Sequence, residues 1–395
     1  LMANQKTKVL ILGGGFAGIK AGLELEKRPN FDVTLLSDKP NFRYYPALYH
    51  AATGGSTYAS NIPLAEIFKG KNVKIVNDTA KKIDREAKKI SGKSGDYDYD
   101  VLIIALGVIT NYFGIKGLKE YSYGIKTQEE AQELRDHIHK VLADEGKPDI
   151  NYIVVGGGPT GVELAGALPF YIRHVMQKHK LPAKRVHIDL VEAAPRLMPR
   201  MPRSYSKAVA RRLRRLGIKL YLGEAVQAET HEALLVSGHP IESHTVIWTA
   251  GITNHPFFNA NKFELTDHGK VKVSEYLEAE PNIYVIGDNA DTPYSGMAQT
   301  ALHDAKFIAE HLERKATTTR LRAYKPKRPI YVTPAGPRWA AVLWNKVQIY
   351  GWLGWTLRSA ADLRGYHDYE PWWLAGQHWT AEYETQDNCP VCTTA

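Results

Sequence analysis

The sequence predicts an α/β protein with two doubly wound units and a third, tryptophan-rich unit at the C-terminus. Two glycine-rich stretches, "ILGGGFAG" and "VVGGGPTG", each end an apolar run and each open a helical pattern. An apolar segment follows each stretch at a similar relative place, "DVLIIALG" after the first and "TVIWTAG" after the second. Finally, seven of the eight tryptophans lie between Trp339 and Trp379. These observations indicate a duplicated strand–helix–strand unit followed by an added one.

Buried strands and helices alternate along the first part of the chain. The apolar run 9–12 predicts a strand covered on both faces, and "FDVTLLS" predicts the next one. Residues 99–108 predict another buried strand, and the polar amphipathic stretch 128–145 predicts a helix. Pro148 interrupts that helical pattern before the second glycine-rich stretch begins.

The same order of elements repeats after the second glycine-rich stretch. This second series of elements ends in a basic, proline-rich linker, and beyond the linker the chain becomes rich in tryptophan. The predicted elements are a helix to about residue 179, strands at 186–193, 244–252 and 281–291, a helix at 297–314 and the linker 324–329.

The composition is that of an ordinary globular protein with more than one domain. The chain has 395 residues, 44% hydrophobic and 24% charged, with a formal net charge of +9. That charge suits a nucleotide, a nucleic acid or an anionic membrane surface and does not choose among them. The two cysteines exclude a disulfide-built secreted domain and favour a reducing compartment. We expect no signal segment and no membrane-spanning helix, because no apolar run reaches 18 residues.

The two glycine-rich loops have the spacing of Rossmann-like dinucleotide-binding sites. In such a loop the first glycine makes a tight turn, the second lets the backbone approach a pyrophosphate, and the third allows close packing of helix on strand. The helix N-terminus adds a partial positive charge. One such motif is weak evidence, whereas two in the same strand–helix context are strong. The glycines in these positions are Gly13, Gly15 and Gly18 in the first loop, and Gly156, Gly158 and Gly161 in the second.

An acidic residue at the end of the second strand of such a unit binds the ribose hydroxyls. Glu192 takes this place in the second unit and favours NADH over NADPH, because a carboxylate repels a 2′-phosphate. Arg196 lies near enough in sequence to keep NADPH open as an alternative. In the first unit the expected slot holds Ser37, with an acid one residue later at Asp38, and either residue suits the role.

The order of further motifs resembles the two-dinucleotide-binding flavoproteins and, within them, the type II NADH:quinone oxidoreductases. The resemblance covers residues from about 8 to 313. Its marks, in chain order, are "GGGFAG", "NFRYYPALYHAATG", "IIALG", "VVGGGPTGVELAG", "LVEAAPRLMP", "VIWTAGI", "YVIGD" and "MAQTAL".

In that family the first loop binds FAD, and an inserted second domain binds NADH. The resemblance therefore implies an FAD-binding domain of residues 1–118 and 253–325, an NADH-binding domain of residues 119–252 and an extension of residues 326–395. The cofactor-binding residues that it implies are Gly13, Gly15, Phe16, Ala17, Gly18, Ser37, Asp38, Pro46, Tyr49, Ala105, Gly107, Gly156, Gly158, Pro159, Thr160, Gly161, Glu192, Gly251, Gly287, Asp288, Ala298 and Gln299. Asp288 is expected on the ribityl or phosphate side of the flavin, and the helix that begins at "AQ" under its ring.

Three residues are candidates for the chemistry. Glu163 follows Gly161 by two residues, and on sequence alone it could simply favour the helix dipole. The resemblance points this glutamate toward the junction of flavin and nicotinamide, where it would steer the hydride or relay a proton. Gln299 matches the first glutamine of the family's AQxxxQ pattern at the quinone mouth, whereas His303 replaces the second. His303 is either a structural residue or a proton donor to the quinone.

The loop "YYPALY" and the tryptophan-rich tail each allow two interpretations. Pro46 and Tyr49 either wall the flavin or only pack the loop. The tail suits a membrane interface, since Trp344, Gln348 and Trp352 would share one helical face. The alternative is that the tail packs on its own body or on a second subunit, as in a homodimer.

Cys389 and Cys392 form a CxxC pair near the C-terminus. One such pair cannot complete a four-ligand zinc site unless two chains share it, so no metal site is expected within one chain. The pair lies either in a disordered tail or at an intersubunit or metal contact. Disulfide reductases and sulfide:quinone reductases of this superfamily need further cysteines in the body of the chain, which this sequence lacks. Both activities are therefore disfavoured.

The resemblance implies the respiratory reaction NADH + quinone + H⁺ → NAD⁺ + quinol at one FAD, without proton pumping. It also implies a peripheral protein on the cytoplasmic side of the cell membrane. An alternative is a soluble NADH-dependent reductase of a small iron–sulfur protein of the ferredoxin or rubredoxin type, which the net charge of +9 would suit. A third, different in class, is a binding module that senses redox state through NADH and FAD. We expect no nucleic-acid partner.

Overall fold

The computed structural model describes residues 6–143, 149–181 and 186–384, and its fold is of the predicted α/β class. The strands are β1 (Thr7–Leu12), β2 (Phe31–Ser37), β3 (Asn41–Arg43), β4 (Asn61–Pro63), β5 (Val73–Asn77), β6 (Ala80–Asp84), β7 (Lys89–Gly92), β8 (Asp96–Asp98), β9 (Val101–Ile104), β10 (Val108–Thr110), β11 (Asn151–Val155), β12 (His187–Glu192), β13 (Lys219–Leu222), β14 (Val226–Glu229), β15 (Ala233–Val236), β16 (His239–Glu242), β17 (Thr245–Trp248), β18 (Ile252–Asn254), β19 (Glu278–Glu280), β20 (Ile283–Val285), β21 (Tyr331–Pro334), β22 (Ala340–Trp344) and β23 (Val347–Gly351). The helices are α1 (Phe16–Leu25), α2 (Leu48–Ala52), α3 (Leu64–Ile67), α4 (Leu118–Tyr121), α5 (Gln128–Ala143), α6 (Pro159–Lys178), α7 (Arg203–Arg215), α8 (Phe257–Ala260), α9 (Ala298–Ala316), α10 (Trp352–His367) and α11 (Trp372–Glu382).

The first unit is built on a six-stranded sheet in the order β19-β20-β9-β1-β2-β5. Its neighbouring strands are parallel except for the edge pair β19–β20. Residues 9–12 of β1 are all buried because alternate side chains enter two different cores, one on each face. Helices α1 and α9 pack together on one face. Since β20 lies beyond the second unit in sequence, the second unit is inserted into the first.

The second unit repeats this arrangement with a four-stranded parallel sheet in the order β13-β12-β11-β17. Tyr152 and Val154 of β11 enter the core on one face, and Ile153 and Val155 enter the core on the other. The antiparallel pair β10–β18 joins the two chain segments that cross between the units. The duplication predicted from sequence is thus present at the level of the sheets.

The C-terminal extension differs from its predicted form. Residues 331–351 form a three-stranded antiparallel sheet, so the helical face expected to carry Trp344, Gln348 and Trp352 does not exist. Trp344 ends β22, Gln348 lies in β23 and Trp352 begins α10. The physical reason is the tight turn between β22 and β23, where Asn345 adopts a φ of +55°. The spacing looked helical, but the turn residues decide the structure.

The extension packs on both units. Tyr366 of α10 stacks on Tyr44 of the first unit with a ring separation of 4.2 Å. On the second unit, the hydroxyl of Tyr205 in α7 donates to the carbonyl of Ala341 at 2.9 Å. Among the described residues, no helix has both the length and the apolar character needed to cross a bilayer.

Candidate functional site

The first glycine-rich loop forms a tight cradle at the carboxyl end of β1. Gly13 has a φ of +111°, and a Cβ there would lie 2.3 Å from the carbonyl oxygen of Ala105. Gly18 is packed as closely, because its Cβ would lie 1.9 Å from the carbonyl oxygen of Gly13. Gly15 faces open space, with nothing within 4 Å of its Cβ position. The loop therefore leaves room over its middle glycine, in front of the N-terminus of α1.

The second loop has the same geometry at the carboxyl end of β11. Gly156 has a φ of +118°, and a Cβ there would lie 2.7 Å from Oγ1 of Thr249. The Cβ of a residue at Gly161 would lie 1.9 Å from the carbonyl oxygen of Gly156, while Gly158 again faces open space. Pro159 and Thr160 then begin α6, of which Pro159 is exposed. The two loops are thus built alike, glycine for glycine.

The end of β2 places Ser37 and Asp38 in different environments. Ser37 is buried beside the first loop, where its hydroxyl donates to the carbonyl of Lys39 at 2.8 Å. A Cβ at Gly14 would lie 2.5 Å from that hydroxyl oxygen. Asp38 is exposed. Of the two residues suggested by the sequence, Asp38 is the better placed to accept hydrogen bonds from a bound sugar.

Glu192 lies against the second loop at the end of β12. Its carboxylate accepts hydrogen bonds from the backbone N–H groups of Gly157 at 2.6 Å and Ala194 at 2.7 Å. Each carboxylate oxygen keeps further lone pairs for ribose hydroxyls. Arg196 donates from Nη1 to the carbonyl of Met201 and to Oγ of Ser206, each at 2.7 Å. Its guanidinium is therefore held by its own loop, an arrangement that favours the NADH interpretation.

The "YVIGD" segment lies beside the first cradle. Gly287 packs so closely on α1 that its Cβ would lie 3.1 Å from the Cβ of Ala17. Asp288 follows it and is partly buried, and its Oδ1 accepts from the backbone N–H of Gly296 at 3.1 Å. Asp288 thus directly follows the residue that packs on α1, and its contact with a flavin stays a prediction.

Asp304 was not among the residues singled out from the sequence, yet it holds this segment in place. Its Oδ2 accepts from the backbone N–H of Gly287 at 3.0 Å, and its Oδ1 accepts from the hydroxyl of Tyr324 at 2.6 Å. Burial raises the pKa of Asp304 to about 6. The sequence signal for this role was an acidic residue on the apolar face of α9, between Ala301 and Ala305.

Asn289 was also missed, and it ties the crossing strands to the "YVIGD" segment. Its side-chain oxygen accepts from the N–H of Gly107 at 2.8 Å, and its amide donates to the carbonyl of Gly107 at 2.6 Å. Gly251, on the other crossing segment, has a φ of +74°, and a Cβ there would lie 2.6 Å from the carbonyl oxygen of Asn111. The predicted residues Gly107 and Gly251 therefore shape the crossing between the units.

Glu163 lies in the second turn of α6, with a side chain that is 12% exposed. Its Oε1 is 3.6 Å from Nη1 of Arg358, which comes from α10 of the extension. Burial raises the pKa of Glu163 to about 7, against the opposing effect of the nearby guanidinium. The side chain is thus a buried carboxylate beside an arginine, and no local sequence signal indicated that partner.

The "YYPALY" loop lies where the two units meet the extension. Tyr49 is buried in the core of the second unit, and α2, which carries it, packs against α5 and α6. The carbonyl of Pro46 accepts from Nη2 of Arg358 at 3.5 Å. Tyr49 therefore packs the loop. That Pro46 and Tyr49 wall a flavin stays a prediction.

Gln299 and His303 hold the linker and the residue after it, Ile330, along α9. The Gln299 amide donates to the carbonyl of Ile330 at 2.8 Å and accepts from its N–H at 3.1 Å. Nε2 of His303 lies 2.8 Å from the carbonyl oxygen of Lys325. Ala298 begins the helix just before them. Both polar side chains thus have a structural partner in this conformation, and their contact with an acceptor stays a prediction.

Exposed apolar side chains gather on the extension. They belong to the turn between β22 and β23, to the start of α10 and to the start of α11. The most exposed are Trp344 (55%), Val347 (58%), Trp352 (69%), Leu353 (51%), Trp372 (54%) and Trp373 (73%). Cys389 and Cys392 lie outside the described residues, so the interpretation of the CxxC pair stays a prediction.

Comparisons with known proteins identify the family of the chain. The model of the pyridine nucleotide-disulphide oxidoreductase family matches residues 7–305. Two curated proteins named type II NADH:quinone oxidoreductase are similar to the chain. The one from Staphylococcus saprophyticus is 30% identical over 344 residues, 80% of this chain and 85% of its own length. The one from Staphylococcus haemolyticus is 29% identical over 79% of this chain and 83% of its own length.

The fold is also similar to that of a solved structure, NDH2 from Plasmodium falciparum in complex with NADH. The TM-score is 0.87 at 18% identity, over 96% of this chain and 98% of that one. The motifs, the paired cradles and these comparisons confirm the resemblance seen in the sequence: the chain belongs to the pyridine nucleotide-disulphide oxidoreductase family and, within it, to the type II NADH:quinone oxidoreductases.

Proposed function

We propose that this protein oxidises NADH through FAD and passes the electrons to a membrane quinone, without proton pumping. The observation that carries the proposal is the pair of matching cradles, one at the carboxyl end of each parallel sheet, in a chain of this family. Dinucleotides bind at that end of such sheets, against the helix N-terminus. Two cradles therefore serve two dinucleotides.

FAD fits the first cradle. The open space over Gly15 and the exposed carboxylate of Asp38 suit its pyrophosphate and ribose, and Asp288 follows Gly287, which packs on Ala17 of α1. Bound there, FAD would supply the two-electron redox chemistry that links a nicotinamide to an acceptor. The protein supplies binding and orientation, for which Asp304 and Asn289 hold the surrounding backbone.

NADH fits the second cradle. Gly158 leaves the same open space, and Glu192 offers its carboxylate beside the loop. Glu163, at the start of α6, belongs to the helix that faces the bound dinucleotide. With a pKa raised to about 7, it exists in both protonation states near neutral pH, which suits a residue that orients the nicotinamide or relays a proton.

The acceptor would approach along the start of α9. Gln299 and His303 lie there, and both hold the linker in the present conformation. An acceptor that takes their hydrogen bonds would have to displace residues of the linker. The exposed tryptophans of the extension suit an anionic membrane surface from which a quinone would come. The net charge of +9 favours such a surface.

Anaerobic mixing tests the proposal. NADH should bleach the flavin absorbance of the purified holoenzyme quickly, NADPH should do so at a much lower rate, and a short-chain quinone should restore the absorbance. Bleaching without reoxidation by quinone would contradict the proposed acceptor and favour a small iron–sulfur protein. Absence of bleaching would overturn the dehydrogenase function itself.

Sedimentation with anionic vesicles tests the membrane contact in the same preparation. We expect Trp373→Ser to weaken binding, because its indole is 73% exposed on the extension. Tyr121→Ser, which changes an exposed aromatic residue on α4, should leave binding unchanged. Equal loss in both variants, or dimerisation through the tryptophans in place of vesicle binding, would contradict the membrane surface as the partner.

A further inference from the structure

One arginine and three carboxyl groups form a buried cluster where the extension meets the two units. Arg358 donates from Nε to Oδ2 of Asp362 at 2.6 Å, and its Nη1 lies 3.6 Å from Oε1 of Glu163. The third acid, Glu382, ends α11 close enough for its charge to interact with both Arg358 and Asp362. The side chains of Asp362 and Glu382 are 6% and 0% exposed.

Charge counting shows that this cluster retains protons. With all three acids ionised it would hold a net charge of −2 out of contact with water, which is unfavourable. One ionised carboxylate already balances Arg358. Burial raises the pKa of Glu163, of Asp362 and, most strongly, of Glu382. The other titratable groups facing Glu382 are Tyr44, Tyr49, His50, Tyr366 and Tyr383, none of them a cation at neutral pH.

Both polar contacts of the Tyr366 hydroxyl are satisfied when Glu382 carries a proton. The hydroxyl oxygen of Tyr366 lies 3.0 Å from the carbonyl oxygen of Ala59 and 3.2 Å from Oε2 of Glu382. A hydroxyl has one hydrogen, and the carbonyl can only accept. Both contacts become hydrogen bonds when Tyr366 donates to Ala59 and a protonated Glu382 donates to Tyr366.

His50 gives this buried acid a connection to solvent. Its Nε2 lies 3.6 Å from Oε1 of Glu382, an oxygen without a hydrogen-bond partner in the described part of the chain. The His50 side chain is 26% exposed, in contrast to the fully buried Glu382. Burial, assisted by Arg358, lowers the pKa of His50 well below its usual range. A neutral imidazole can accept a proton on one nitrogen and release one from the other.

We propose that Glu382 stores a proton in the resting protein and releases it toward Glu163 when the acceptor is reduced, with the Asp362 carboxyl group as the carrier between them and His50 restoring the proton from solvent, while Arg358 stays charged. This inference rests on the proposed function. NADH gives up two electrons and one proton as a hydride, whereas a quinone takes two electrons and two protons to become a quinol. The second proton would leave the Glu382 carboxyl group, whose carboxylate then regains a proton from water by way of His50.

Infrared spectroscopy of the oxidised holoenzyme tests the storage step. The carbonyl stretch of a protonated carboxyl group, identified by its shift in D₂O, should weaken in Glu382→Gln. It should persist in Glu370→Gln, a matched control, because Glu370 is buried in the same helical hairpin against His378 and outside the cluster. A band unchanged in Glu382→Gln would overturn the proposal whatever the acceptor is.

Rapid kinetics test the delivery step. Glu382→Gln should slow reoxidation by quinone about tenfold or more, since proton transfer by a placed group is worth at least that much. Bleaching by NADH should keep its rate. His50→Gln, which leaves the buried carboxyl group in place, should slow steady-state turnover while keeping the infrared band. Equal slowing of bleaching and reoxidation, or an unchanged reoxidation rate, would overturn delivery by Glu382. A protein that shows the band but reduces no quinone would instead overturn the proposed function together with delivery, leaving storage intact.

Discussion

The two nucleotide-binding units share a backbone and differ in the charge they carry at one equivalent position. Two residues after the third glycine, the first unit has Lys20 and the second has Glu163. Lys20 donates to the carbonyl of Asp368 at 3.0 Å, just after α10, and lies 3.2 Å from Glu24. Glu163 pairs with Arg358, in the first half of α10. One helix of the extension thus joins both units through charges of opposite sign.

The surroundings of the loops differ as well. Phe16, in the first loop, contacts Phe42 at a ring distance of 5.0 Å and Tyr369 of the extension at 5.9 Å. At the same place the second loop has Pro159, which is exposed. An enclosed loop suits a cofactor that stays bound, and an open one suits a cofactor that enters and leaves. The shared loop backbone therefore suits a dinucleotide in both units. The side chains around each loop suit a retained dinucleotide in the first unit and an exchanging one in the second.

The largest expected effect comes from filling the open space in either loop. Gly15→Ala and Gly158→Ala both place a methyl group where no protein atom lies within 4 Å, so each variant should fold. The methyl group would instead meet the pyrophosphate. We expect Gly15→Ala to be isolated with little FAD, measured as flavin absorbance per protein. Gly158→Ala should keep its FAD and need about tenfold or more NADH for half-maximal bleaching.

The reverse result would contradict the assignment of FAD to the first loop and NADH to the second. Loss of FAD from Gly158→Ala, with normal FAD in Gly15→Ala, would mean that the cofactors are exchanged between the units. Circular dichroism of both variants checks that the fold is intact.

A smaller effect is expected from the acid that ends the second strand. Glu192→Ala removes the carboxylate that would repel a 2′-phosphate, so the ratio of NADH to NADPH bleaching rates should fall by about 10- to 100-fold. The matched change in the first unit, Asp38→Ala, should leave that ratio unchanged and weaken the retention of FAD. An unaltered ratio in Glu192→Ala would remove Glu192 from nicotinamide selection.

The sequence predicts the parts of the site that depend on local spacing. Gly13 and Gly156 were identified because a turn between strand and helix has a fixed length, and Glu192 because strand ends are readable from apolar runs. Arg358 and Glu382 were not identified, because their roles depend on contacts with residues about two hundred positions or more away. The hydrophobic periodicity of the sequence does not indicate which side chains come into contact when α10 and α11 pack on the two units.

The tail shows where pattern alone fails. The spacing of Trp344, Gln348 and Trp352 is that of one helical face. The same spacing also occurs in a strand, a two-residue turn and a second strand. The positive φ of Asn345 decides between them. The exposure of Trp344 and Trp352 that the helical interpretation implied is nonetheless present.

The last expected effect concerns stability, not cofactor binding, and contrasts the two charged positions. An ordinary glutamate ionises near pH 4.5, whereas burial raises the pKa of Glu163 to about 7. Between these pH values unfolding releases a proton, so the free energy of unfolding falls as the pH rises and levels off above pH 7. Glu163→Gln removes this contribution. We expect the variant to match the wild type near pH 4.5 and to be more stable above pH 7, by about 3 kcal/mol at most.

Lys20→Met provides the matched change in the first unit. It removes the partly buried cation from Glu24, which keeps only the more exposed Lys27 at 3.3 Å, and from the carbonyl of Asp368, so it should cost about 1 to 3 kcal/mol. Burial lowers the pKa of Lys20 from a value far above this pH range, so the cost should be nearly constant between pH 4.5 and 7. Chemical unfolding of the three proteins across that range measures both trends. Parallel pH profiles of the free energy of unfolding for wild type and Glu163→Gln would show that Glu163 ionises normally. At this equivalent position the two units would then differ only in the sign of a structural charge.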